Sequence, residues 1–416
     1  MRRTHAVPFL FAVALGAGAA PLTAQRPSTW RCKHVLAEDG ASWRSDLVVV
    51  TLLDRIVEVR APRDGEGVDR DFGDAWLVPG LIDLHTHLLL RPYDQMPWDE
   101  QVRRESNELR TLRAATFARD TLWAGFVAVR DLGTEGADFA DVALRAAMDE
   151  ERVRGPQLFV ATRAIVKQGC YGPDPEHPAT KKGAQVVTDE ASIRAAVRAQ
   201  VAGGADWIKV YADYRHGKSG PVAPTFTLAE LQAVVDEAGK AGKPVAAHAT
   251  TDEGIRRAVE AGVRTVEHGA GASAATLAAM KAKGVVLCPC LAATEAIVRY
   301  AGHQGPVAER LNVGKVGFQR ALAAGVTIAC GSDAGVFTHG ENVRELELMV
   351  AHGMTPAQAL ASATTVAAQV LGDPRFGAVR PGATGFVVLR ADPLRDIAAL
   401  RQIVAVVREG DERSLR

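Results

Sequence analysis

Six side chains in this 416-residue chain could act together on metal ions: His85, His87, Lys209, His248, His268 and Asp333. His85 and His87 fall near the end of LVPGLIDLHTHLLL, residues 77–90, a run that is almost wholly apolar but also carries Asp83. Imidazoles and carboxylates are costly to bury unless something satisfies them. Neutral imidazole and carboxylate are also the ligands that a catalytic zinc takes. A lone His-X-His is a weak signal. Two further histidines and an aspartate, each closing its own short apolar run, make a strong one. Lys209, in DWIKVY, is the odd member. An ammonium with an ordinary pKa of about 10.4 repels a metal. A desolvated lysine can instead lose its proton and react as an amine. Addition of carbon dioxide would then give a carbamate, in effect a carboxylate able to bridge two ions.

These residues need elements to position them, and one local unit recurs. LWAGFVAVRDLG, QVAGGADWIKVYAD, AGKAGKPVAAHA, AVEAGVRTVEHG, MKAKGVVLCPCLA and ALAAGVTIACGSDAG each read as a helix ending at Gly, an apolar run, then polar residues. Gly suits the left-handed turn after a helix. Short runs rich in Val and Ile read as strands buried on both faces. Thr227 with Glu230, and Thr250 with Glu253, fit capping boxes at helix starts. The strand candidates are LIDLHTH, FVAVRDLG, QLFVATRAIV, WIKVYAD, PVAAHA, TVEHG, VVLCPCLA and VTIACGSD. Alternating strands and helices over residues 77–375 predict a (β/α)8 TIM barrel, whose chemistry stands at the C-terminal ends of the strands. An open doubly wound sheet is the alternative, but no Gly-rich phosphate turn follows the first strand. Residues 25–76 and 376–416 read as short strands that together form one small β-sandwich domain.

Composition narrows the field. The chain has 49 basic and 49 acidic residues and is 47% hydrophobic, so no basic stripe argues for nucleic acid. Residues 1–24 begin with Arg2 and Arg3, continue apolar and end in LTA. That is the layout of a secretory signal, predicting a periplasmic or secreted protein with no membrane span after removal. The apolar part is shorter than the roughly 20 residues a span needs. The five cysteines are odd in number, and Cys288, Cys290 and Cys330 lie in apolar runs, so buried reduced thiols are expected.

LIDLHTH, WIKVY, PVAAHA, TVEHG and GSDAGVFTHG together resemble the amidohydrolase superfamily in its binuclear, carboxylated-lysine form. ATRAIVKQGCYGP, KVYADY, LCPCLAATEAI and ENVRELELMVAHGMTPAQAL resemble its imidazolonepropionase-like branch. That branch includes prolidase-like Xaa-dipeptidases and ochratoxin-hydrolysing members. The resemblance implies that His85, His87 and Asp333 hold the more buried of two divalent ions, expected to be zinc. His248 and His268 would hold the other, with carboxylated Lys209 and a hydroxide as bridges. Asp333 would also carry the proton from the hydroxide to the leaving amine.

Such a site would cleave a small-molecule amide: an N-acyl amino acid or a dipeptide, with ochratoxin A, an amide of phenylalanine, among them. Tyr211 shares a strand face with Lys209 and leads the remaining candidates, as a donor to the oxyanion. Tyr171, His177, Arg215 and His339, in loops on the same side, could bind substrate, with Tyr214 and His216 beside them. Asp83 suits a supporting hydrogen bond better than a ligand role. A homo-oligomer is expected. A deaminase on this barrel is a rival, but Thr stands in HATTDEG where its glutamate would be. An Xaa-Pro or other dipeptidase without ochratoxin activity, a phosphotriesterase or lactonase with the same ligands, and a metal-free scaffold complete the alternatives.

Overall fold

The structure is a computed structural model describing residues 26–174, 183–217, 220–302, 305–408 and 411–414. The expected secretory signal and His177 lie outside the described residues. The chain opens with β1 (Ser28–Leu36), β2 (Trp43–Leu52), β3 (Arg55–Arg60), β4 (Arg70–Asp71) and β5 (Trp76–Pro79). Next come β6 (Leu81–Thr86), β7 (Phe126–Asp131), β8 (Gln157–Val160), β9 (Ile165–Lys167), β10 (Gln185–Val187) and β11 (Ile208–Tyr211). A hairpin of β12 (Asp213–Arg215) and β13 (Val222–Pro224) precedes β14 (Val245–Ala249), β15 (Thr265–His268) and β16 (Val286–Cys288). The last strands are β17 (Phe386–Leu389), β18 (Ile403–Arg408) and β19 (Asp411–Ser414).

The TIM barrel is built from two parallel arcs, β6-β7-β8 and β9-β11-β14-β15-β16. One seam closes where the amides of Asp206 and Trp207 bond Val160 O. The other closes through residues 327–334. Leu287 and Ala329 bond across it on one side, and Cys330 O, Asp333 N and Ala334 O bond β6 and His87 on the other. This eighth position, read as the strand VTIACGSD, is an irregular segment with only isolated bridges. QLFVATRAIV is likewise two strands rather than one. The break falls at Thr162, at φ +59°, where Asp141 accepts its amide and its hydroxyl donates to Gln200. The capping box at Thr227 and Glu230 forms as predicted. The next helix starts one residue later than expected, on Thr251, whose side chain accepts from Gly254 N while both Thr250 and Thr251 donate to Asp213.

Strands from both termini share one sheet, ordered β19-β18-β17-β5-β1-β2-β3, with β4 beside β1. Its residues alternate between two cores. Trp30, Leu47, Leu77, Phe386, Val388 and Val407 pack on one face in a core of their own. Val78, Val387, Leu389 and Val406 point the other way, into the barrel's core. Burial on both faces is why FVVL carries no polar residue. All five cysteines are buried and unpaired, as expected. Among the described residues no helix is long and apolar enough to cross a membrane.

Candidate metal centre

The end of β6 and the residue after it present two imidazoles in a fixed tautomer. His85 Nδ1 lies 2.9 Å from Glu267 Oε2, and His87 Nδ1 lies 2.8 Å from the carbonyl of Gly133. A carbonyl or carboxylate can only accept, so each Nδ1 carries a proton and each Nε2 is the nitrogen turned to the site. Both Nε2 atoms converge on Asp333 Oδ1, at 3.6 Å from His85 and 3.2 Å from His87. Each of these two spacings is short enough for the pair of donors to share one ion at bonds of about 2.0–2.2 Å. Burial opposes protonation of His87, but the bond to Asp333 prevails and carries its pKa up to about 9. Although burial works against its charge, Asp333 is held far below the usual carboxylate range by His85 and His87. This corner therefore draws positive charge.

Asp333 is placed by Asp83. The Asp83 carboxylate accepts from Ser332 N at 3.0 Å, the Ser332 hydroxyl, Asn342 Nδ2 at 2.8 Å and His85 N at 3.0 Å. It is buried among these donors, and so fastens β6 to the irregular segment. Asp333 itself sits at φ +62°. The glycines of GSDAG leave room: a Cβ on Gly331 would lie 2.9 Å from Cys288 Cβ, and one on Gly335, at φ +115°, 2.6 Å from His87 O.

Lys209 on β11, His248 on β14 and His268 on β15 complete the ring. His268 lies 5.6 Å from His85 and 4.5 Å from His248, between ring centroids. Burial lowers the pKa of His248 and His268, which keeps them in the neutral form that ligates. Lys209 is 1% exposed, and burial pushes its pKa down. Tyr211 stacks on His248 at 4.6 Å, and its hydroxyl lies 3.4 Å from that of Tyr171. Sequence reading thus gathers the six ligand candidates and two of the tyrosines. Arg215 is exposed on the β12–β13 hairpin beside Tyr214. His339 does not join the cluster: it stacks on Phe117 at 4.4 Å and donates from Nε2 to Leu90 O, against the barrel wall.

Three members went unread in the sequence. Cys290, in the run VVLCPCLA that reads as a strand, instead lies at φ +54° just before the helix Leu291–Tyr300. Its sulfur is 3.2 Å from His85 Nδ1, and with His85 and Asp333 it forms a group of potential ligand atoms within 4.8 Å of one another. Glu267 precedes His268 on β15 and orients His85. Arg130 on β7 pairs with Glu267 at 3.0 Å and lies over the Trp207 ring at 4.2 Å, with no exposure. A charged residue inside an otherwise apolar strand, in FVAVRD and TVEH, was the available signal.

A barrel with imidazoles and a carboxylate converging at its strand ends has the architecture of a hydrolase. The chain belongs to the Amidohydrolase family, whose model matches residues 76–412. Ochratoxinase from Aspergillus niger is 28% identical over 366 residues, 79% of this chain and 73% of that one. Imidazolonepropionase from Cutibacterium acnes is 29% identical over 361 residues, 83% of this chain and 84% of that one. A Xaa-Pro dipeptidase solved with bound methionine superposes with a TM-score of 0.82 at 27% identity, covering 94% of this chain and 100% of the other. The protein is a hydrolytic enzyme acting on amide bonds. The donor chemistry fits the metal centre usual in this family: imidazoles and a carboxylate, already converged.

Proposed function

We propose that the protein is a zinc-dependent hydrolase of dipeptides and N-acyl amino acids, ochratoxin A among the latter. The convergence of His85 Nε2 and His87 Nε2 on Asp333 carries this reading. In it, His85, His87 and Asp333 would hold one ion, His248 and His268 a second, and Lys209, as a carbamate, would be a further ligand. When bound, such ions supply an ionisable water and polarise the substrate carbonyl near neutral pH. The chain does the rest. Asp333 takes up the proton released by the attacking water and passes it to the leaving nitrogen. Tyr211, whose pKa burial drives well above its ordinary value, keeps its hydroxyl proton and can donate to the developing oxyanion. Arg215 and Tyr214 stand on the hairpin above as candidate partners for a substrate carboxylate. The relatives' names support amide substrates of this size. The N-terminal segment directs export in this proposal, so secreted protein should begin after Ala24 on N-terminal sequencing.

Purified protein should contain about two zinc ions per chain by metal analysis. It should release amino acids from dipeptides and phenylalanine from ochratoxin A, lose that turnover to a chelator and regain it with zinc. Turnover of paraoxon with no amide cleavage would overturn the proposal. Lys209→Ala should lower both bound zinc and activity, the latter by at least about 100-fold. Unchanged activity in that variant would refute the carbamate role.

A further inference from the structure

Glu135 lies in the loop after β7, is 2% exposed and sits at φ +50°. Its two carboxylate oxygens are treated unequally. Oε2 accepts from Trp98 Nε1 at 2.8 Å and from the Tyr171 hydroxyl. Oε1 is buried with no hydrogen-bond partner among the described residues. A carboxylate that only fastened this loop would use both oxygens, since an unsatisfied buried acceptor costs on the order of 1–3 kcal/mol. The nearby cation does not answer it: Arg110 bonds the carbonyls of Leu89, Glu135 and Thr134, not the carboxylate. The free oxygen and the His87 ring both border Gly133. A Cβ built on Gly133 would lie 3.4 Å from Oε1 and 3.7 Å from His87 Cε1. Tyr171, whose hydroxyl Glu135 holds, stacks against Tyr211 at 4.6 Å, Tyr214 at 5.0 Å and Trp98 at 5.0 Å. The charge of Glu135 also reaches Tyr93, whose pKa is raised by burial first and Glu135 second. An acceptor-only oxygen beside a cluster of aromatic side chains suits a primary ammonium, which brings donors and an opposite charge to it.

We propose that Glu135 and these aromatic residues hold the α-ammonium of a dipeptide, making the enzyme selective for substrates with a free amino terminus. This rests on the amide-hydrolase reading above and ranks dipeptides over N-acyl amino acids such as ochratoxin A. The α-ammonium of a dipeptide is one carbon from the scissile carbonyl, which matches a carboxylate adjacent to His87. The test compares leucyl-phenylalanine with N-acetyl-leucyl-phenylalanine on the zinc-loaded enzyme. The free dipeptide should be favoured in kcat/KM by on the order of 100-fold or more. Glu135→Gln keeps an acceptor for Trp98 and Tyr171 and should remove most of that preference. It should do so by slowing the free dipeptide while the acetylated one stays within about threefold. Equal rates in the unaltered enzyme, or an equal fall of both substrates in the variant, would overturn the proposal. A second measurement stands apart from turnover: calorimetric binding of L-leucinol, a primary amine with no amide bond, against N-acetyl-L-leucinol. Glu135-dependent binding of leucinol without any peptide cleavage would sink the hydrolase reading and leave only the ammonium site standing. Peptide cleavage without amine preference would do the reverse, and absence of both leucinol binding and amine preference would end it.

Discussion

Glu267 does for His85 what a backbone carbonyl does for His87, but it also carries a charge that Arg130 answers. Glu267→Gln should therefore show in two readouts. Zinc affinity, measured by chelator competition, should fall about 10- to 100-fold as His85 loses its anionic partner. Denaturant unfolding should report a loss of about 3–5 kcal/mol, because Arg130 is left buried without its counter-charge. His339 offers a contrasting test away from the metals. Burial pulls its pKa down to about 4, below its ordinary 6.5. The folded state thus holds it neutral where the unfolded chain would charge it. Its contribution is present above pH 6.5 and is lost as pH falls toward 4. The melting temperature of His339→Phe should consequently decline less steeply over that interval than that of the unaltered protein. At this scale the ligands were legible because a polar residue ending an apolar strand is conspicuous. Glu135 was not, since nothing in a loop sequence says which way a carboxylate faces.

The element that organises the centre is the irregular segment before and after Asp333, and Asp83 is what ties it down. Asp83→Ala would leave Ser332, Asn342 and the His85 amide without their acceptor. It should cost about 3 kcal/mol or more in thermal unfolding, together with zinc and turnover as Asp333 drifts. Stability loss with full zinc loading would separate Asp83 from the site. The repeated Gly-then-apolar unit made most strands readable, because strands buried on both faces are continuous hydrophobic runs. It overreached at two places. In QLFVATRAIV the polar side chains of Asp141 and Gln200 capture Thr162 and break the ladder. In VTIACGSD the neighbouring strands hold the segment by scattered bonds without a regular ladder. Side-chain capture of a backbone group is a tertiary event that hydropathy does not encode.

Across the whole molecule, the terminal sheet is not an appendage. Val387, Leu389 and Val406 complete the barrel's own core while their neighbours fill a second one. Removing residues 386–416 should therefore yield insoluble protein, and the intact chain should melt in one calorimetric transition. Two separate transitions would show an independent sheet. The placement of Arg130 has a consequence for traffic. Its guanidinium, over the Trp207 ring and tied to Glu267 and Leu84 O, is one of the buried side chains that make the barrel interior a packed core and not a pore. Reactants and products must then share a single doorway. The amino acid released by one turnover stands in the path of the next substrate, so accumulating product should slow the enzyme competitively.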